Sequence, residues 1–376
     1  MSPPTAQASA SRHLSTASVA AAPALQPTWW IANRSWDTTF FLGSLATGVL
    51  LTVIALAAPS LAIPATIVAG ILLANTHNLV TGFFFLDPEN LAYYRKFPHY
   101  YFTVPLALLG AAMGITVAAP VLAFILHVFF TNWHVIRQSV GIQKLYLGRA
   151  KTSDTDRNLD ATLIYAGGVI LNAFALWKFG VLSGTSPLAT VETHAAVAFP
   201  TGGAVALLGA VLAARVLWLG WRAGRVAWQR LGFGLTGIAM YSPYLVLDNF
   251  ACAFMACLLP HYMQYHGIFW LVGQNKYTGN PRYADSWVGR LAKDFRVWIG
   301  LVLVAACAMA LLRAPHFLAE KSPALLAAYR TPVFLTLGAF YGLGWMHFYL
   351  DGLLFRFRYP EVRAAILRYL RDPRLR

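Results

Sequence analysis

Charged residues are scarce in this sequence: they make up 11% of its 376 residues, whereas soluble domains carry about a quarter. Acidic residues are scarcer still, with 14 Asp and Glu against 29 Lys and Arg, while 58% of the residues are hydrophobic. A chain of this composition cannot cover itself with a solvated surface. The composition therefore excludes a disordered protein, a collagen and an ordinary soluble enzyme, and it predicts a polytopic membrane protein.

Cysteine is also scarce, and common catalytic motifs are missing. The three cysteines, Cys252, Cys257 and Cys307, all lie within apolar runs, where we expect them to be small buried hydrophobic residues. No CxxC, CxxCH, HExxH or Walker pattern occurs. These absences remove the usual support for a disulfide scaffold, covalent haem attachment, zincin proteolysis and nucleotide hydrolysis.

The apolar residues form ten runs, most of them close to the roughly 20 residues that a membrane-spanning helix needs. The sequence therefore predicts an all-α bundle of about ten transmembrane helices. Ser242-Pro243 interrupts the seventh run, so we expect that run to be kinked or re-entrant. Asp87-Pro88 after the second run predicts a cap or turn, and Glu89 is a carboxylate that can reach a site open to the cytoplasm. The runs are 36–58, 61–86, 100–118, 121–143, 161–182, 197–219, 231–247, 250–273, 295–313 and 332–355.

Positive charge alternates between the connections. It is concentrated in 87–97, 144–160, 220–230 and 274–294, and only 314–331 breaks the alternation. Because Lys and Arg mark the cytoplasmic side, both termini are predicted to be cytoplasmic, in the inner membrane of a bacterium. Membrane lipids, and not nucleic acid, are then the expected partners of the basic residues. The predicted parts are a disordered tail (1–28), a transmembrane domain (29–358) and a basic juxtamembrane helix (359–376).

Histidine supplies most of the polar residues inside the predicted spans. Counted from the outer end of each span, His77, His134, His261 and His347 differ in depth by no more than roughly 8 Å at 1.5 Å per residue. His127 lies one heptad further out, on the same stripe as His134. Ionisable residues within a membrane are costly and suggest function. The shared depth of the first four predicts a metal site formed by His77, His134, His261 and His347, with His127 as a further candidate ligand.

Other polar side chains accompany these histidines, and four of them follow a histidine by four residues and so share its helix face. These pairs are His77 with Thr81, His134 with Gln138, His261 with Tyr265, and His347 with Asp351. Asp351 and His266 are expected to complete the ligand set or to relay protons. Tyr265, Gln138 and Asn78 are expected to orient the ligands, because a metal-bound imidazole usually donates its second N–H to a neighbouring polar group.

Several imidazoles with a carboxylate favour non-haem iron, as one ion or two. Membrane desaturases and hydroxylases likewise gather histidines around iron, but their HxxxH and HxxHH boxes are absent here, so the likeness is one of site type only. The leading hypothesis is an intramembrane metal-dependent oxidoreductase that acts with dioxygen on a lipid-like substrate, with an electron-donor protein as a further partner. Alternatives are a b-type haem protein with two His ligands, a proton-coupled transporter with a His/Asp relay and a purely structural membrane protein.

Overall fold

The computed structural model describes residues 29–150, 152–180, 191–278, 280–283, 286–356 and 360–370. Within these ranges every regular element is a helix and no strand occurs. Seven helices are long and apolar enough to cross a membrane, or eight if the bent pair Arg34–Leu42 and Leu45–Ala57 counts as one span. The predicted class, an all-α multi-pass bundle, is confirmed.

The principal helices are numbered here in chain order. They are α1 (Leu45–Ala57), α2 (Pro59–Ala69), α3 (Thr76–Val80), α4 (Val104–Ala118), α5 (Pro120–Arg149), α6 (Asp154–Lys178), α7 (Val191–Arg222), α8 (Trp228–Ala239), α9 (Phe250–Tyr277), α10 (Phe295–Glu320) and α11 (Arg330–Leu354). Shorter α-helical segments are Arg34–Asp37, Pro88–Tyr94, Pro243–Val246, Trp287–Lys293, Pro323–Ala328 and Pro360–Ala365. The π-helical segments are Thr38–Leu42, Gly70–Asn75 and His99–Thr103, and the 3-10 segments are Thr81–Leu86, Pro281–Tyr283 and Leu367–Leu370.

Two of the ten predicted spans are not among these seven or eight helices. The run 231–247 forms α8, which has 12 residues, followed by the separate turn Pro243–Val246. At 1.5 Å per residue, α8 is only about 18 Å long, too short to cross a bilayer. The run 250–273 lies in α9, whose 28 residues are long enough but are too polar on average to resemble a span.

Helix α9 lies inside the bundle. Most of its side chains are buried, and it packs against α1, α2, α3 and α5. A helix that is covered by protein does not need an apolar surface toward lipid, so it can carry polar residues that a peripheral span cannot. This position explains both the low hydropathy of α9 and the presence of two histidines in its middle.

A buried ion pair fixes the end of α9. The Asp87 carboxylate pairs with Lys276 and accepts a hydrogen bond from the Tyr277 hydroxyl at 2.8 Å. Its other oxygen accepts from the backbone N–H of Glu89 at 2.8 Å, so the predicted capping role of Asp87 is confirmed. Lys276 also donates to Asn90 Oδ1 at 3.3 Å. These contacts tie the 3-10 segment after α3 to α9 and hold the two elements in a fixed register.

Glu89 takes part in a separate contact near the surface. Its carboxylate pairs with Arg282 and accepts from the Tyr283 hydroxyl at 2.8 Å. Burial, and then this hydrogen bond, raise the pKa of Tyr283 above its usual range, so the phenol keeps its proton and donates. Glu89 therefore fastens the short Pro281–Tyr283 segment to the helix Pro88–Tyr94.

The described part of the C-terminal segment packs on the protein. Ile366, Tyr369 and Leu370 are buried in the same cluster as the end of α9, and Asn275 Nδ2 donates to the Tyr369 carbonyl at 2.7 Å. The predicted continuous basic helix is here a short helix followed by a 3-10 turn. The predicted tail 1–28 and residues 371–376 lie outside the described residues.

Candidate metal centre

Four imidazoles from four helices meet inside the bundle. His77 on α3, His134 on α5, His261 on α9 and His347 on α11 are all buried, and none is more than 9% exposed. The ring centroid of His77 lies 4.5 Å from that of His261 and 4.3 Å from that of His347. His134 lies 5.0 Å from both His261 and His347, and 6.1 Å from His77. We call these residues the four-histidine centre.

Three Nε2 atoms of the four-histidine centre lie close together. His77 Nε2 lies 3.0 Å from His261 Nε2 and 2.7 Å from His347 Nε2. His77, His134 and His347 each offer a ligand atom within 4.8 Å of the others. With metal–nitrogen bonds of about 2.0–2.1 Å, two neighbouring ligand nitrogens lie about 3 Å apart. The buried histidine group can therefore hold a metal ion.

One carboxylate faces the same point. Asp351 Oδ2 lies 3.6 Å from His347 Nε2 and 3.8 Å from His134 Nε2, and it has no hydrogen-bond partner among the described residues. Oδ1 accepts from the Tyr265 hydroxyl at 2.6 Å and from Thr81 Oγ1 at 3.2 Å. The hydrogen bonds thus leave Oδ2 available to a cation at the four-histidine centre.

The hydrogen bonds around Thr81 favour one tautomer of His347. Thr81 Oγ1 lies 2.6 Å from His347 Nδ1 and also contacts Asp351 and the Tyr265 hydroxyl. When both hydroxyls donate to the carboxylate, Thr81 can accept only from a protonated Nδ1 of His347. The Nε2 of that tautomer carries a lone pair, as a metal ligand requires.

Irregular helix geometry places His77. The second span changes from α2 to the π-helical segment Gly70–Asn75, then to α3, and then to a 3-10 segment that begins at Thr81. Single π-helical turns are rare and often occur at functional sites. Asn75 Nδ2 donates to the Ala306 carbonyl of α10 at 3.2 Å, which anchors the π-helical turn directly before His77.

A close helix contact places His261. This residue follows Pro260, which lies within α9 and cannot donate a backbone hydrogen bond. Gly48 of α1 lies against this turn so closely that a Cβ there would be 2.4 Å from the Ala256 carbonyl oxygen. Glycine is therefore needed at this approach, and α1 packs directly behind His261.

Two predicted ligands lie outside the four-histidine centre. His266 is in contact with the π-helical turn, with Nε2 2.9 Å from Thr76 Oγ1 and 3.4 Å from the Leu73 carbonyl. His127 stacks on Tyr341 at a centroid distance of 4.4 Å. Neither belongs to the group formed by His77, His134 and His347, whose ligand atoms all lie within 4.8 Å of one another. His261 is also outside that group, although its Nε2 lies 3.0 Å from His77 Nε2.

The residues predicted to orient the ligands differ in their contacts. Tyr265 lies 4.2 Å from the His77 ring and binds Asp351, as just described. Gln138 Nε2 donates to the backbone carbonyl of His261 at 3.4 Å, so it contacts that turn and not an imidazole nitrogen. Asn78 is partly buried next to His77.

Sequence reasoning missed what Thr81 contacts. The i+4 spacing places Thr81 beside His77, but its hydroxyl lies against His347 of another helix. The 3-10 geometry that starts at Thr81 changes the direction of the side chain relative to a regular α-helix. A hydroxyl four residues after a histidine was the available signal, and it identified the residue but not its partner.

No family model, curated protein or solved structure matches this chain.

Proposed function

We propose that this protein is an intramembrane metal-dependent oxidoreductase that uses non-haem iron and dioxygen to oxidise a lipid-like substrate. The observation that carries the proposal is the approach of His261 Nε2 and His347 Nε2 to His77 Nε2, at 3.0 Å and 2.7 Å, in a buried interior. A neutral imidazole has a single N–H, so these nitrogens cannot all satisfy one another. A cation that accepts their lone pairs would satisfy all three nitrogens.

The ligand set supports iron as the metal. Four imidazoles and the free oxygen of Asp351 form a set of nitrogen and oxygen donors, and a site that combines histidines with a carboxylate suits non-haem iron with open positions. The Asp351 carboxylate has no Lys or Arg partner in the described part of the chain, and a metal dication would supply its counter-charge.

The arrangement favours a bare ion over haem. A b-type haem lies between two axial histidines whose Nε2 atoms point at opposite faces of the macrocycle. Here His347 Nε2 is 2.7 Å from His77 Nε2, and two further rings lie beside this pair. This spacing leaves no room for a porphyrin between the two imidazoles.

The chemistry supplied by an iron ion would be activation of dioxygen. Insertion of one oxygen atom into a C–H bond, with the other released as water, consumes two electrons and two protons, so an electron-donor protein is part of the proposal. Asp351 and Tyr265 are joined by a 2.6 Å hydrogen bond, and this pair can hold a proton beside the centre. The substrate would enter from the bilayer, because spans enclose the four-histidine centre.

Elemental analysis and an optical spectrum of detergent-purified protein test this proposal. We expect about one or two iron ions per chain and no Soret band, since imidazole and carboxylate ligands bind without a porphyrin. A Soret band would contradict this proposal and support the b-type haem protein instead. Protein without metal that carries out proton-coupled uptake in vesicles would replace it by the transporter alternative.

The matched control for metal binding is His99→Gln, because His99 is exposed in this structure. This variant should retain the metal content of the natural sequence, whereas His77→Ala should lose the metal. Equal metal loss from both variants would show that the metal is bound non-specifically.

A further inference from the structure

The four histidines of the centre are not equally covered by the rest of the protein. His77, His261 and His347 are each no more than 2% exposed. His134 is 9% exposed, the largest fraction of the four. It belongs to α5, which is long and apolar enough to cross a membrane, so its uncovered side faces the hydrocarbon of the bilayer. The four-histidine centre is therefore least separated from lipid at His134.

His134 lies on a stripe of α5 that otherwise faces outward. Phe130 precedes it by four residues, and Arg137 and Gly141 follow it by three and seven, so these positions share one face of the helix. Phe130 is 38% exposed, and Arg137 and Gly141 are exposed as well. Of these four residues only His134 is nearly buried, which means that a side chain from another helix covers it.

The side chain that covers His134 is Phe348 of α11. Its ring stacks on the His134 ring at a centroid distance of 4.7 Å and an interplanar angle of 27°. It also lies 5.6 Å from the His347 ring. Phe348 is itself only partly buried, because one side of its ring contacts the centre and the other side faces outward. One phenyl ring thus lies between the bilayer and the centre, where α5 meets α11.

The turn of α11 below the Phe348 ring leaves it room to move. Aromatic side chains on a helix point back toward the residue four positions earlier, which here is Gly344. A Cβ at Gly344 would lie 3.7 Å from Phe348 Cζ, so glycine removes a contact that any other residue would make with the far edge of the ring. Rotamer changes of exposed side chains take picoseconds to nanoseconds. The ring can therefore rotate away from His134.

We propose that Phe348 is the gate between the bilayer and the four-histidine centre, and that it admits the unbranched hydrocarbon chain of a lipid-like substrate. This inference rests on the proposed function, because it names the route and the shape of the substrate of that centre. The opening between α5 and α11 is as wide as the single ring that fills it. It fits one extended chain and excludes the fused rings of a sterol.

Photolabelling of the full-length protein, as purified in a neutral detergent, tests the gate. The probes are hexadecanol with a diazirine at mid-chain and cholesterol with a diazirine in its ring system, and mass spectrometry locates the labelled residues. We expect the linear probe to label residues of the centre, such as His134 and Tyr265, at least about tenfold more than the sterol, because a site of fixed width rejects a larger ligand. Equal labelling of the centre by both probes would overturn the inference.

Variants of Phe348 test the size preference itself. Phe348→Ala should bring the two probes to within about twofold of each other at the centre, since the excluding ring is gone. Phe348→Trp should lower labelling by the linear probe at least about fivefold, because a larger ring overfills the opening. Phe348→Leu keeps an apolar side chain on α11 and should shift the preference in the same direction as Phe348→Ala, so the test remains decisive if the alanine variant does not fold.

The matched control is Phe199→Ala, because Phe199 on α7 is 88% exposed. This variant should leave the labelling of the centre unchanged with both probes. A purely structural role of Phe348 would lower stability without changing which probe enters. An unchanged size preference in both Phe348→Ala and Phe348→Leu would therefore overturn the gate.

The failure of this inference is distinguishable from the failure of the proposed function, because metal content is measured on the same sample. Iron-containing protein whose centre is labelled by neither probe, or equally by both, would overturn the gate and leave the metal centre intact. Metal-free protein whose centre is labelled with the expected size preference would support the gate and overturn the oxidoreductase that it is proposed to serve.

Discussion

Two buried polar regions of this protein are built differently. Near the start of α6, Arg230 makes a two-pronged ion pair with Asp160, at 2.6 Å and 2.9 Å, and Arg215 pairs with Asp156 at 2.8 Å. Gln143 donates a further hydrogen bond to Asp160 at 2.6 Å. We call these four charged residues the ion-pair cluster. Each of its charges meets an opposite charge from the same chain.

The four-histidine centre lacks this internal balance. His134 Nε2 and Asp351 Oδ2 are buried without hydrogen-bond partners, and the Nε2 atoms of His77 and His347 face each other. Buried polar groups that are purely structural are normally satisfied within the protein. The comparison therefore teaches that the charges of the ion-pair cluster are balanced within the chain, whereas the four-histidine centre leaves polar atoms that can hold a cation.

The largest expected effect is the loss of metal from His347→Ala. This change removes a ligand and the partner of Thr81, so we expect metal affinity to fall by more than about 100-fold, beyond the usual cost of losing a supporting residue. Metal content of the folded, purified variant measures the effect. Unchanged metal content would place the ion elsewhere and would contradict the difference drawn between the four-histidine centre and the ion-pair cluster.

The next largest effect is on stability, from Arg230→Met. Removal of this arginine leaves the Asp160 carboxylate buried without its main counter-charge, which costs about 3–5 kcal/mol. Unfolding in detergent measures the loss, and the metal content of the folded fraction should not change. The double variant Arg230→Met with Asp160→Leu should recover much of the stability, because it removes both charges. A double variant as unstable as the single one would contradict the assigned role of this pair.

A smaller effect is expected from Thr81→Val, which keeps the shape of the side chain and removes the hydroxyl. The His347 ring loses the acceptor that fixes its tautomer, so metal affinity should fall by about 10- to 100-fold. Titration of metal into the stripped protein measures the change. Thr81→Ser should restore most of the affinity, and equal behaviour of the Val and Ser variants would show that the hydroxyl does not orient His347.

The smallest effect is expected from Asp154→Asn. The Asp154–Arg157 pair has a 3.1 Å contact, but Asp154 is 89% exposed, so solvent screens the attraction. The free energy of unfolding should change by no more than about 0.5 kcal/mol. A change of several kcal/mol, measured as for Arg230→Met, would show that exposure does not separate the surface pairs from the ion-pair cluster.

Hydropathy predicted the all-α, multi-pass bundle, and helix depth predicted which four histidines meet in it. His77, His134, His261 and His347 converge because residues at one depth in a compact bundle are separated only laterally. Depth gives no information about the rotation of a helix. His266 lies about 7.5 Å further along α9 than His261, still within the depth range of the other histidines, yet the five-residue spacing turns it away, toward Thr76.

Other features could not be predicted from local sequence patterns. The polarity of α9 reflects its burial within the bundle, which a window average along one chain segment does not represent. The π-helical turn before His77 and the 3-10 turn at Thr81 change the angle per residue, so i+4 pairing no longer identifies spatial neighbours. These departures from regular geometry occur where the four-histidine centre is formed.

The most direct test of the central claim is X-ray absorption at the K-edge of the metal in the purified protein. The account predicts a shell of nitrogen and oxygen neighbours at about 2.0–2.2 Å with the outer-shell scattering of three or four imidazoles. His347→Ala should lose this signal, and His99→Gln should retain it. A spectrum with sulfur neighbours, or with at most one imidazole, would contradict the claim that the four histidines surround one ion.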